Sequence, residues 1–161
     1  MIRTSFILAM TLTVSILFYG CPKKQVIVKP KRKVLPYGQD HKAWRTISKH
    51  KVISPHHGDT EEEIFANGPA YRTSSGKQDM PYEEGSIFVM IRYKDGELQP
   101  TAYIMKKMDS NYHPDYNNWR YSIVRVSDWT IERDGKLADC IRCHYKYINR
   151  DFIPLMQKDG M

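Results

Sequence analysis

With three cysteines in 161 residues, the chain has no disulfide framework to lean on. Acids are missing where bases are dense: residues 22–36 carry Lys23, Lys24, Lys29, Lys31, Arg32 and Lys33 and no Asp or Glu. With Arg3, seven of the 25 basic residues lie in residues 1–33, leaving 18 against all 18 acids, so the remainder is formally neutral. The net charge of +7 is therefore a property of one end and is no evidence for nucleic-acid binding. Repeats and further low-complexity runs are lacking as well.

One apolar run stands out. Phe6 to Phe18 is interrupted only by Thr11, Thr13 and Ser15, follows the basic Arg3, and ends at Gly20-Cys21. This is the pattern of an export signal over residues 1–21. A cysteine after a small residue at the end of such a run resembles a bacterial lipobox, which predicts lipidation at Cys21 and attachment to the periplasmic side of a membrane. Leu17 sits one place early for that pattern, and Phe18 and Tyr19 are bulky. An uncleaved anchor helix and cleavage elsewhere remain alternatives, and each of the three exports the domain. Residues 22–36, punctuated by Pro22, Pro30 and Pro36, read as an extended basic tether, suited to anionic headgroups or simply to solubility. Residues 37–161 suit one small domain.

The chemistry concentrates in Cys140-Ile141-Arg142-Cys143-His144. C-x-x-C-H is the attachment signature of a c-type haem: two thiols a helical turn apart each join a porphyrin vinyl group, and the adjacent imidazole becomes the proximal metal ligand. C-x-x-C also serves thiol exchange and half-sites for zinc. A thioredoxin-like βαβ context and a second ligand pair are not visible around residues 140–144, so the reading is one covalent haem c held by Cys140, Cys143 and His144. With Cys21 lipidated, every cysteine then has a use.

Elsewhere the pattern is β-rich. Asp40 caps an expected helix through Lys49, with Ala43, Trp44 and Ile47 on one face. The loop Ser54–Asp59 carries His56 and His57, a pair that invites a metal or distal-ligand reading but in a Pro/Gly loop reads as solvated. Thr60-Glu61-Glu62-Glu63 looks like a capping box, while Ile64–Asn67 could equally begin a strand turning at Gly68-Pro69. Ser86–Tyr93, the turn Lys94-Asp95-Gly96, Glu97–Met108 with Pro100 at an edge or bulge, and Trp119–Val126 read as three antiparallel strands feeding the haem motif.

In order along the chain, Trp44-Arg45, Ile64-Phe65-Ala66-Asn67 with Ala70, Gly85-Ser86, Met105-Lys106-Lys107, Asn118-Trp119-Arg120-Tyr121, the haem motif and Arg150-Asp151-Phe152 resemble the cytochrome P-460 and cytochrome c′-beta family. The resemblance implies an α+β fold, mostly antiparallel β-sheet with flanking helices, in a single haem-binding domain that is often a homodimer. It implies His144 as proximal ligand and an opposite iron face commonly left open. Members that oxidise hydroxylamine carry a lysine cross-linked to the porphyrin, five residues after the glycine of the G-[ST] strand. That position here is Met90, which has no amine, so the comparison favours the c′-beta branch with its apolar distal pocket. Lys94, Lys106 and Lys107 are the substitutes if the register differs. Phe65 and Phe88 are the candidate pocket wall, with ordinary core packing as the competing role, and Met90 is a third lining residue or even an iron ligand.

Three functions follow as expectations. The first is binding of a small gas such as nitric oxide or carbon monoxide. The second is electron transfer to a redox partner, with Met80, Met90, Met105 or Met108 as sixth ligand. The third is hydroxylamine or nitric oxide oxidation, which requires a pocket base.

Overall fold

The computed structural model describes residues 33–54 and 57–154. The export signal, Cys21, most of the tether and His56 lie outside them. Among the described residues no helix is long and apolar enough to cross a membrane.

Seven strands make one antiparallel sheet: β1 (Arg45–Ser54), β2 (Gly58–Ala66), β3 (Ile87–Lys94), β4 (Glu97–Leu98), β5 (Thr101–Lys107), β6 (Trp119–Arg125) and β7 (Ile131–Gly135). The order is β1-β2-β3-β5-β6-β7, with the short β4 paired to β3. Each long strand thus lies beside its neighbour in sequence. Helix α1 (Gly68–Ser74) links β2 to β3, and helix α2 (Ala138–His144) follows β7 and runs into a 3₁₀ segment, Tyr145–Arg150. The α+β expectation holds.

Register sorts the side chains into two faces, because residues directly opposite one another across an antiparallel pair share a side of the sheet. One face carries the rows Ala66–Phe88–Met105–Tyr121 and Ile64–Met90–Tyr103–Ile123. Helices α1 and α2 and the segment 151–153 pack on it through Ala70, Ile141, Phe152 and Ile153. The other face carries Phe65, Val89, Ile91, Ile104 and Val124, closed over by Leu35, Tyr37, Trp44 and Trp129.

Several sequence expectations give way to this pairing. The helix from Asp40 is only a 3₁₀ turn, His41–Ala43, and Arg45 onward is β1. Asp40 makes no cap; its carboxylate accepts the Trp44 indole N–H instead. The β-branched Thr46, Ile47, Val52 and Ile53 favour extended chain, and nine paired positions along β2 outweigh a weak helical spacing. The same β1–β2 pairing turns the Thr60–Glu63 capping box into strand, with Thr60 and Glu62 buried and Glu61 exposed. Residues 33–36, assigned to the tether by sequence, belong to the domain: Val34 bridges to Thr130, and Leu35 is buried and donates its N–H to the Trp129 carbonyl. The sequence offers no signal for β7, so four long strands rather than three precede α2 along the meander from β3. The Lys94-Asp95-Gly96 turn does form, with Asp95 and Gly96 both at positive φ (53° and 82°), and Pro100 falls in the break between β4 and β5.

Candidate haem site

Helix α2 presents two different faces. At 100° per residue Cys140, Cys143 and His144 fall on one side, and Ala138, Ile141, Arg142 and Tyr145 on the other. Its first turn is tied to β7 by a bidentate pair, Arg133 donating from both terminal nitrogens to Asp139 at 2.7 Å each. That pair brings the Asp139 carboxyl down to about 2. A cleft of about 580 Å³, lined by His113, Tyr116, Lys136, Arg142 and Tyr145 among others, lies on the side away from the cysteines.

Both cysteines are free thiols and half-buried. Cys140 packs against the core formed around Tyr121 and Ile141, and burial followed by the charge of Asp139 pushes its thiol up to about 11. A thiol-exchange centre needs the opposite shift, a depressed thiol that is nucleophilic at neutral pH. Among the described residues, no group of three or more His, Cys, Asp or Glu side chains is arranged to hold a metal ion.

His144 is oriented by the chain that follows it. Its Nδ1–H donates to the Phe152 carbonyl at 2.7 Å, which places the lone pair on Nε2. Burial holds the imidazole pKa below the usual histidine value, the bond to Phe152 opposing. The ring meets Tyr121 edge-on at 5.5 Å. A ligating histidine is commonly held in this way, its second nitrogen fixed by a carbonyl or carboxylate.

The Phe152 carbonyl is itself positioned. Asp151 and Phe152 both adopt left-handed backbone (φ 52° and 67°), turning the chain back on α2. The buried Asp151 carboxylate accepts the Lys107 ammonium through both oxygens at 2.7 Å, the Tyr82 N–H at 2.9 Å and the Trp119 indole N–H at 3.2 Å, while its carbonyl accepts that same indole at 2.8 Å. Lys107 also lies over the Trp119 ring. On the far side of the same core, Asn67 caps α1 by accepting the Ala70 N–H, accepts the Ile87 N–H, and donates to the Gly85 carbonyl.

Beside Tyr121 the sheet is incompletely covered. Ile64, Met90, Tyr103, Met105 and Ile123 are only half-buried, whereas Val89, Ala102, Ile104 and Val124 on the opposite face are almost fully buried. The Tyr121 hydroxyl is buried without a hydrogen-bond partner. Two free thiols, an oriented imidazole, a partly open apolar face and an orphaned phenol together fit a large, mostly apolar group joined through two thioethers.

Of the candidate wall residues, Met90 lies in this face between Ile64 and Tyr103. Phe88 shares the face but is locked into the core, 5.2 Å from the Tyr82 ring and 6.0 Å from Trp119. Phe65 is on the opposite side of the sheet, 5.0 Å from the His41 ring. A strand alternates its faces at every residue, so Phe65 and its neighbours Ile64 and Ala66 cannot line one pocket. Among the methionines, Met80 is exposed and Met105 shares a face with Tyr121. The substitute lysines are elsewhere: Lys94 is exposed, Lys106 lies over Tyr37, and Lys107 is engaged by Asp151.

His57 departs from the solvated loop expected of it. It closes the β1–β2 hairpin with its Nδ1 3.0 Å from Glu62 Oε1, its carbonyl accepting Arg92 and its ring 4.7 Å from Tyr103. Sequence spacing alone carried no signal for this, because the contacts come from β2, β3 and β5. No protein-family model matches the chain, and no curated protein matches it.

Proposed function

We propose that the chain is an exported single-haem c-type cytochrome that binds a small ligand, in the manner of the cytochrome c′-beta proteins it resembles. Cys140 and Cys143 would hold the haem covalently and His144 would be its proximal ligand. Haem iron, when bound, supplies the open coordination position and the redox couple. The protein's part is to orient and to exclude water.

The observation that carries the reading is the His144–Phe152 hydrogen bond at 2.7 Å within a C-x-x-C-H helix facing a partly open apolar sheet face. The bond fixes the tautomer, leaving Nε2 as the ligating atom, and Tyr121 restricts rotation of the ring. Ile64, Met90 and Ile123 offer an apolar wall that admits small neutral molecules. Export, lipid attachment at Cys21 and a homodimeric state complete the proposal.

The test is direct. Protein matured with an intact cytochrome c assembly system should keep its haem through acidified-acetone extraction, and its ferrous spectrum should be five-coordinate and respond to carbon monoxide. Loss of all the haem on extraction refutes covalent attachment. A ferrous spectrum that is low-spin before gas is added refutes the open position.

A further inference from the structure

On the side of α2 away from the cysteines, the cleft of about 580 Å³ has the size of an ordinary small-molecule site, roughly 300–1,000 Å³. Its apolar part is aromatic. Tyr116 comes from the loop before β6 and Tyr145 from the end of α2, with their ring centres 6.2 Å apart. Both rings rest on the buried Phe152, at 6.2 and 6.0 Å, which limits their movement. The loop wall is held by its own backbone: Asn117 and Asn118 are both left-handed (φ 50° and 58°), the Asn118 side chain accepts the His113 N–H at 2.8 Å, and its carbonyl accepts the Met108 N–H at 2.9 Å. The facing wall, α2, is tied to β7 by Asp139 and Arg133. The cleft is therefore built by the fold and does not wait for a ligand.

Charge at the cleft is of one sign. Lys136 and Arg142 line it and are exposed, and no Asp or Glu among the described residues lines it. The acids nearest to Lys136 in sequence, Asp134 and Asp139, are paired with Arg120 and Arg133. Asp115 is exposed and lies outside the lining. Arg72, Arg120, Arg125 and Arg133 each have a carboxylate partner, whereas Arg142 has none among the described residues. Lys136 only lies over the Tyr112 ring, at 5.2 Å. Two cations thus stand beside an aromatic surface with no acid to neutralise them.

We propose that this cleft binds a small planar aromatic carboxylate, its ring against Tyr116 and Tyr145 and its carboxylate on Lys136 and Arg142. A guanidinium takes both oxygens of a carboxylate side by side, an ammonium adds a point charge, and tyrosine rings favour an aromatic over an aliphatic body. Cys140, Cys143 and His144 are not among the lining residues, so the inference does not rest on the haem reading.

2-Naphthoate is the probe, titrated calorimetrically into the full-length protein at low ionic strength, where exposed charges are least screened. Saturable binding of one naphthoate per chain is expected. Arg142→Gln and Lys136→Gln should each weaken it about 5-fold, the upper range for an exposed ion pair, and together about 25-fold if the two add. Arg142→Lys, which keeps the charge, should retain most of the affinity. The neutral isostere 2-naphthamide should bind about as weakly as naphthoate binds the double variant. Absence of saturable binding overturns the proposal, as does naphthamide binding as tightly as naphthoate. Unchanged affinity in the double variant places the naphthoate elsewhere and overturns it too. Equal weakening by Arg142→Lys and Arg142→Gln assigns the loss to packing and overturns the role of charge. Sedimentation of the same samples tests the other occupant: an affinity that falls as the dimer fraction rises gives the cleft to a second copy of the chain and overturns the small-molecule site.

Discussion

Removing the charge of Asp151 tests whether the segment after the haem motif is held as described. In Asp151→Asn the Lys107 ammonium stays buried, with a neutral amide in place of its counter-ion. Lys107 is 7% exposed and Asp151 4%, so solvent does little to screen the loss. Breaking one side of such a pair costs about 3–5 kcal/mol. Against the 5–15 kcal/mol typical of a domain, that is a large share. With a urea slope of about 2 kcal/mol/M, the unfolding midpoint should fall by roughly 2 M. Lys107→Met should cost less, because the carboxylate keeps the Tyr82 and Trp119 donors. The double variant should recover part of the loss, since neither charge is then left alone, giving a coupling of about 2–3 kcal/mol. Tryptophan fluorescence in urea reads all four proteins. Additivity within about 0.5 kcal/mol would refute the clamp.

Three further outcomes are expected. Cys21→Ala should release the protein from the membrane fraction, because one acyl anchor plus a basic stretch supplies the two signals stable binding needs; a variant still membrane-bound with its N-terminal segment uncleaved indicates an anchor helix. Peptide mass spectrometry of the haem peptide should find no lysine-to-porphyrin bond, since the resemblance puts Met90 at the cross-link position, and finding one would move hydroxylamine oxidation from third place to first. His41, buried against Phe65 and Trp129, has its pKa lowered by burial. The unfolded chain therefore binds the proton first, and His41's contribution is complete above pH 6.5 and lost as pH falls through the lower folded value. The loss should stay below the ~1.4 kcal/mol per pH unit that one full proton allows, and a His41→Phe variant should show a flatter acid limb in urea midpoints.

What the chain reveals to a reader of sequence follows from how local each signal is. The C-x-x-C-H spacing, the Asp95-Gly96 turn and the Ser86–Tyr93 run are decided within a few residues, and they were legible. β1 was not, because Ala43, Trp44 and Ile47 fit a helix and only β2 supplies the competing hydrogen bonds. β7 was hidden by its polarity: Glu132, Arg133 and Asp134 spend themselves on ion pairs with Arg125, Asp139 and Arg120 rather than on an apolar stripe. Helix α1 did announce itself, with Asn67 as cap and Pro69 in the first turn, but a turn at Gly68-Pro69 uses the same residues. In the site, Cys140, Cys143 and His144 were readable from spacing. Phe65 was misplaced by one residue of alternation, and the setting of His57 comes from Glu62, Tyr103 and Arg92, partners up to 46 positions away.

The order of the strands bears on when the cofactor can arrive. Because β1-β2-β3-β5-β6-β7 is a meander, each pairing closes a short loop and the sheet gains contacts early for little chain entropy. On the proposed haem reading, topology would then be chosen by the polypeptide alone, before any thioether formed. The two cysteines sit after the last strand, so attachment need not guide the sheet, and an enzyme joining haem to residues 140–144 would meet a short peptide whose final resting place already exists. Docking of α2 and the Asp151–Lys107 pair would then be the closing event, sealing the cofactor against a surface finished beforehand.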